Sequence, residues 1–309
     1  MSATVYVSRG RRRRRRAMAV LVVLLAGLTS WRAAEALAPA PATPSVAVSA
    51  RGWASVDWPA QGAAAASLGH GHVHVSGSTQ PSPIASLAKV MTALVVLRSR
   101  PVSAQDPGFT ITITSDDVAD TERRKADGQS VVAVVSGEKL TERQALQALL
   151  LPSANNIAVA LARAVSGGVA AFVDEMNAAA RRLGMTSTRY TDPSGYDPAT
   201  VSTAHDQLLL ARAAMRIDAF AAIAAEPSAV IPQAGIVRNT DRLLGQDGFI
   251  GIKTGSDQAA GGCFMFAARS YNKRQIVYGV VLGQRDGPLI PAALDAARRL
   301  ADTVRAAFG

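Results

Sequence analysis

Residues 83–97 read Pro83-Ile84-Ala85-Ser86-Leu87-Ala88-Lys89-Val90-Met91-Thr92-Ala93-Leu94-Val95-Val96-Leu97, and this stretch constrains everything around it. From Ser86 to Leu97 nearly every position is apolar, so no polar stripe is left to face water and the pattern predicts a helix buried on every side. That run carries one basic residue, Lys89, three positions after Ser86. At i and i+3 two side chains share a helix face, which brings the amine within hydrogen-bonding reach of the hydroxyl.

Lysine is sparingly used: of 33 basic residues only Lys89, Lys125, Lys139, Lys253 and Lys273 are Lys. A lysine surrounded by apolar residues can lose its proton, which arginine does not do. A neutral Lys89 could take the Ser86 proton and make that oxygen a nucleophile. Two other segments, Ser136-Gly137-Glu138-Lys139 and Ser270-Tyr271-Asn272-Lys273, have the same spacing but fall in polar turns, where Lys stays charged. Ser86 instead opens the buried helix behind Pro81 and Pro83, where its own N–H is free to stabilise an oxyanion; a plain N-cap serine is the alternative.

Working outward, strand-like runs at Trp53 to Trp58, Ala63 to Leu68 and His72 to Val75 precede the helix. Helical periodicity follows: Thr141 caps a helix that runs to Leu151 before Pro152, and further helices span Asn156 to Ala164, Gly168 to Leu183 and Ala204 to Ile217. Strands return at Phe249 to Thr254, Cys263 to Ala268 and Ile276 to Leu282, before an amphipathic helix from Pro291 to Phe308. This order predicts an α+β (α/β) fold, with one antiparallel sheet built from both chain ends, flanked by helices, a helical lobe inserted between them, and a cleft where lobe meets sheet.

The net charge of +10 misleads, because eight basic residues (Arg9, Arg11 to Arg16, Arg32) precede residue 39, where Glu35 is the only acid. The remaining 25 basic and 22 acidic residues make a weak field and give no reason to expect nucleic acid as partner. Ala17 to Trp31 is an uncharged, Leu- and Val-rich block behind the Arg run, the arrangement of an export signal. It falls short of the roughly 20 residues a membrane span needs, so residues 1–38 are read as a cleaved signal, with a retained anchor as the alternative. Ala34-Glu35-Ala36 fits the cleavage pattern, residues 39–50 form a Pro/Ala-rich tether, and 51–309 form one folded domain, outside the cytoplasm. The sole cysteine, Cys263, allows no intramolecular disulfide and reads as a small buried residue. His70, His72 and His74 alternate as in a two- or three-His metal site, but without a fourth ligand a solvated hairpin tip is the better reading; His205 reads as structural, and no metal or cofactor is expected.

Two further pieces join Ser86 and Lys89. Ser153-Ala154-Asn155 projects a hydroxyl and an amide from the corner between two helices, and Lys253-Thr254-Gly255 ends a strand with a cation, a hydroxyl and a glycine that permits close backbone approach. In this order the three pieces resemble the motifs of serine β-lactamases and penicillin-binding proteins. The wider sequence resembles the D-alanyl-D-alanine carboxypeptidase family through 83–93, 136–141, 149–156, Leu183-Gly184-Met185-Thr186, Asp192-Pro193-Ser194-Gly195, 202–206, 239–244 and 251–255. The resemblance implies a β-lactamase/transpeptidase-like fold. It implies that Ser86 attacks the carbonyl between the terminal D-alanines of a peptidoglycan stem peptide, with Lys89 as base. Ser86 and Ser256 would supply oxyanion N–H groups, Ser153 would relay a proton to the leaving D-alanine, and Asn155 would hold the substrate amide and Lys89. Lys253 and Thr254, with Gly255 beside them, would meet the terminal carboxylate, and β-lactams would acylate Ser86. Ala154 stands where the family commonly has Gly, and the chain stops at Gly309 without the family's frequent C-terminal anchor, so any membrane attachment is expected from the N-terminal segment.

A β-lactamase would need a Glu to activate the deacylating water, and neither Glu175, in a predicted helix, nor Glu226, before Pro227, sits in a suitable loop. A D,D-endopeptidase would use the same residues, and a non-catalytic wall-binding scaffold would not need an intact base. Ser86→Ala is expected to abolish covalent labelling by fluorescent penicillin, whereas Lys139→Ala and Lys273→Ala leave it unchanged; labelling that survives in Ser86→Ala would refute the assignment.

Overall fold

The fold is described from a computed structural model that covers residues 50–103 and 105–308; the expected export segment and the tether as far as residue 49 lie outside the described residues. A short helix, α1 (Ala50–Ala54), comes first, where the Trp53 to Trp58 alternation predicts a strand. The aromatic spacing serves to anchor this segment: the Trp53 ring stacks on His74 with centroids 4.0 Å apart and lies 5.0 Å from Phe308. His74 is thereby drawn out of the expected solvated tip, and burial lowers its pKa.

The main sheet joins the two ends of the domain as the element order requires. It contains β1 (Ala63–Leu68) and β2 (His74–Gly77) from the N-terminal side, with β9 (Phe249–Asp257), β10 (Gly261–Arg269) and β11 (Ile276–Gln284) from the C-terminal side, in the order β2-β1-β11-β10-β9. All pairings are antiparallel, with Ala65 opposite Val280 and Met265 opposite Lys253. β1 is buried throughout, which accounts for a strand made almost wholly of alanine. Eight consecutive residues of β10 are buried, so both faces of the sheet are covered. The C-terminal helix, Leu289–Phe308, packs along β9, β10 and β11, and the helix Ala204–Ala214 packs on β1, β10 and β11.

Between the two sheet segments, β3 (Ser82–Pro83) leads through a 3-10 turn at Ala85–Leu87 into α2 (Ala88–Ser99). Residues 88–97 are all buried, because α2 is surrounded by the other helices of the lobe. Those are α4 (Glu142–Leu150), α5 (Asn155–Ser166), α6 (Val169–Arg182), α7 (Ala204–Ala214) and α8 (Asp218–Ala224). α3 (Ser115–Ala126) completes the lobe. Its polar sequence hides it from hydrophobic periodicity, but Thr114 and Asp117 form a capping box, and Arg163 grips the Asp117 carboxylate from α5. Thr141 caps α4 as expected, in a box closed by Gln144. The small pairs β4 (Thr110–Thr112) with β5 (Lys139–Thr141), β3 with β6 (Val201–Ser202), and β7 (Ser228–Ile231) with β8 (Gly235–Arg238) edge the lobe. α9 (Leu289–Phe308) is the amphipathic helix expected from Pro291 onward.

Fully burying a large aliphatic side chain contributes about 1.5–3 kcal/mol, so the apolar faces of α2 hold the helices of the lobe together around it. Leu94→Ala, in the middle of α2, is expected to cost about 2–5 kcal/mol in urea denaturation. Val230→Ala, on the exposed face of the β7–β8 hairpin, is expected to stay within about 0.5 kcal/mol of the unmutated protein.

Candidate active site

Ser86 lies inside the 3-10 turn that leads into α2, whose N-cap is Leu87, so the alternative of a plain N-cap serine is set aside. Leu87 N–H returns to the Ile84 carbonyl at 3.2 Å, and Ala85 is held at φ 45°, a left-handed conformation that alanine adopts only under constraint. The constraint is packing. Gly195 presses so closely on the turn that a Cβ there would fall 1.8 Å from the Ala85 carbonyl oxygen. The loop carrying Gly195 is tied by Asp192, whose Oδ2 accepts from the N–H groups of Ser194, Gly195 and Tyr196 at 2.9–3.1 Å.

The Lys89 amine lies 2.7 Å from Ser86 Oγ and donates to the Ser194 carbonyl at 2.9 Å. Lys89 is 0% exposed. Burial pushes its pKa well below the ordinary lysine value, repulsion from Lys253 pushes the same way, and Asp192 opposes both. The pairing expected from the i, i+3 spacing is thus present, in a setting that favours the neutral amine.

Ser153 and Asn155 flank the bend between α4 and α5, and both are buried. Ser153 holds φ 68°, and its buried Oγ has no hydrogen-bond partner among the described residues. Asn155 begins α5 with its N–H on the Ser130 carbonyl at 2.8 Å and its Nδ2 on Gln129 Oε1 at 2.8 Å.

β9 brings the third group. It is the edge strand of the sheet, and it packs against the Ser86 turn. Gly255 allows the approach: a Cβ there would lie 2.9 Å from Ser86 N and 3.2 Å from Leu87 N. Lys253 is 1% exposed, not a solvated strand end, and its Nζ donates to the Thr254 carbonyl at 2.9 Å. Burial lowers the Lys253 pKa to about 7, with Asp241 opposing. Asp241 is itself raised to about 6 by burial, and its Oδ2 has no hydrogen-bond partner among the described residues. Thr254 Oγ1 lies 2.6 Å from Thr240 Oγ1, and Ser256 is exposed at the end of the strand.

These parts meet at a cleft of about 610 Å³, lined by Ser86, Gln129, Asn155, Tyr196 and Ser256 among others. Ser86 and Asn155 from the first two sequence pieces line it, and Gly255 sets the third piece against the Ser86 turn, whereas Lys89, Ser153, Lys253 and Thr254 are buried and are not among its lining residues. The other two Ser-x-x-Lys matches do not join them: Lys139 and Lys273 are exposed, although Ser270 is buried and bonded to Asn272. Glu175 accepts from Ser166 and Glu226 from Gln147, and neither lines the cleft. His205 is engaged with Asp206 at 3.2 Å, and Cys263 is buried with its thiol pushed up to about 12. Sequence reading missed the roles of Gln129, Asp192, Thr240 and Asp241. Asp192-Pro193-Ser194-Gly195 carries a turn signature that points to its loop, but Gln129 has no local signal at all.

A buried lysine with a lowered pKa binds fewer protons folded than unfolded, so Lys253 destabilises the fold at low pH. The cost is fully present below pH 7 and fades as pH rises towards the unfolded value of 10.5. Lys253→Met is accordingly expected to raise the thermal midpoint most below pH 7, with the gain shrinking as the solution becomes alkaline.

The model of the family described as D-alanyl-D-alanine carboxypeptidase, Peptidase S11, matches residues 65–286. The D-alanyl-D-alanine carboxypeptidase DacB2 of Mycobacterium tuberculosis is 40% identical over 209 residues, 64% of this chain and 67% of that protein. A D-alanyl-D-alanine endopeptidase of Escherichia coli is 31% identical over 203 residues, 62% of this chain and 61% of its own length. The crystal structure of the Streptomyces K15 DD-transpeptidase superposes with a TM-score of 0.70 at 29% identity, covering 81% of this chain and all of that one. With Ser86 paired to Lys89 beside a cleft that Asn155 also lines, and with the family match spanning most of the chain, this protein belongs to the D-alanyl-D-alanine carboxypeptidase family of serine peptidases.

Proposed function

We propose that the protein releases the terminal D-alanine from peptidoglycan stem peptides through an acyl-enzyme on Ser86. The observation that carries this reading is the 2.7 Å contact between Ser86 Oγ and an amine with no exposed surface. Neutral Lys89 takes the Ser86 proton as Oγ bonds to the carbonyl carbon between the two D-alanines. The Ser86 and Ser256 N–H groups hold the oxyanion that develops. The C–N bond then breaks as Ser153 gives its proton to the departing amine and is resupplied by protonated Lys89, so D-alanine leaves and Lys89 is neutral again. Water attacks the ester as neutral Lys89 takes its proton, and Lys89 hands that proton to Ser86 Oγ as the ester C–O bond breaks and the shortened peptide is freed.

The terminal carboxylate is held by Lys253 and Thr254. A bound carboxylate raises the Lys253 pKa again, so a lysine poised near 7 in the empty site is charged when occupied. The open edge of β9 is suited to taking the peptide as an added strand. A β-lactam would acylate the same serine and leave slowly, because its ring-opened leaving group stays tethered to the acyl carbon, and no glutamate is among the described residues that line the cleft. The Arg run and apolar block before residue 39 support export and action outside the cytoplasm, with any membrane attachment through that N-terminal segment.

Cleavage of cross-links is the second reading, supported by similarity to proteins named endopeptidases. Purified protein incubated with a pentapeptide ending in D-Ala-D-Ala is expected to release free D-alanine, and Ser86→Ala is expected to release none. Release from cross-linked dimers alone would favour the endopeptidase, and no turnover of either substrate would refute the proposal.

A further inference from the structure

We propose that Gln129 is a positioning residue that fixes which way the Asn155 amide points, an inference that rests on the function proposed above. A chain of contacts of fixed polarity leads to Asn155. Asp120 Oδ2 accepts from Arg124 Nε at 2.5 Å, and Arg124 NH1 donates to Gln129 Oε1 at 3.0 Å. A guanidinium has donors and no acceptor, so the Gln129 oxygen, not its nitrogen, must face Arg124. That same oxygen lies 2.8 Å from the Asn155 amide, and an oxygen already turned to Arg124 can only accept. Asn155 must therefore present Nδ2 to Gln129, which turns its Oδ1 away. Ser130, the next residue, accepts the Asn155 N–H, so two neighbouring residues grip this side chain and its backbone.

The orientation matters because the two ends of an amide are chemically opposite. With Nδ2 towards Gln129, the Asn155 Oδ1 has no donor among the described residues and remains free to accept an N–H from substrate or from protonated Lys89. The second Nδ2 hydrogen remains free for a substrate carbonyl. A flipped amide would set donor against donor at the moment Lys89 takes its proton. Gln129 lies in the loop after α3, and its own N–H returns to the Arg124 carbonyl at 2.9 Å, so the α3 terminus holds both parts of the relay. Asp120, Arg124 and Gln129 all lie outside the three motifs.

The test compares acylation of the full chain by penicillin with thermal midpoints for Gln129→Met, Gln129→Glu and Arg124→Met. Gln129→Met removes the acceptor at similar volume and is expected to slow acylation about 10- to 100-fold with an unchanged midpoint. Gln129→Glu keeps an oxygen for Arg124 and Asn155 and is expected to stay within about threefold of the unmutated rate at its own pH optimum. Arg124→Met frees the Gln129 amide to rotate and is expected to match the loss, which keeps the idea testable should Gln129→Met fail to fold. Unchanged acylation in Gln129→Met, or an equal loss in Gln129→Glu, would overturn the proposal while leaving the functional reading intact. An unmutated chain that is not acylated would remove both.

Discussion

The structure depends on keeping the Lys89 amine away from water. An isolated ammonium in an apolar interior is so unfavourable that the group gives up its proton instead, which is what turns a lysine into a base at neutral pH. Lys89 reaches 0% exposure because α2 has no solvent face, and α2 lacks one because helices of the lobe surround it while the sheet closes the Ser86 end. The fold thus bears directly on the chemistry: the enclosure that buries Leu94 and Met91 also drives the Lys89 pKa well below the ordinary lysine value.

Burial alone would leave the amine without hydrogen-bond partners, and the surrounding loops supply them. The Ser194 carbonyl accepts from Lys89, and that carbonyl is aimed by the Asp192 carboxylate, which gathers three successive N–H groups around one oxygen. Tight backbone contacts fix the rest, with Gly195 against Ala85 on one side and Gly255 against the Ser86 N–H on the other. Ala85, next to Ser86, and Ser153, at the bend between α4 and α5, are both non-glycine residues with positive φ. Strained conformations persist where the surroundings over-determine them, and here the surroundings are the two walls of the cleft.

Much of this was legible in the sequence because it rests on local pattern. The all-apolar run from Ser86 to Leu97 demanded enclosure, the early and late strands demanded a shared sheet, and Thr141 before an amphipathic stretch marked a helix start. The strand-like reading of Trp53 to Trp58 failed because its aromatic residues pack on His74 and Phe308, distant in sequence. α3 was invisible because a helix lying on the lobe surface is polar almost throughout and shows itself only by its cap. The site divided the same way: Ser86 with Lys89, Ser153 with Asn155, and Lys253 with Thr254 are each close in sequence, whereas Gln129 is 26 residues from the Asn155 it contacts. Asp241 was missed for a similar reason, since its influence on Lys253 exists only once both are buried.

The central claim, that enclosure makes Lys89 a neutral base, is tested most directly by titrating the lysine side chains by NMR. With only five lysines in the chain, Lys89 can be assigned by comparison with a Lys89→Arg variant. The account requires Lys89 to titrate well below the ordinary value of 10.5, and the rate of acylation by penicillin to fall as pH drops through that same transition. A Lys89 that titrates near 10.5, or an acylation rate indifferent to its protonation, would contradict it.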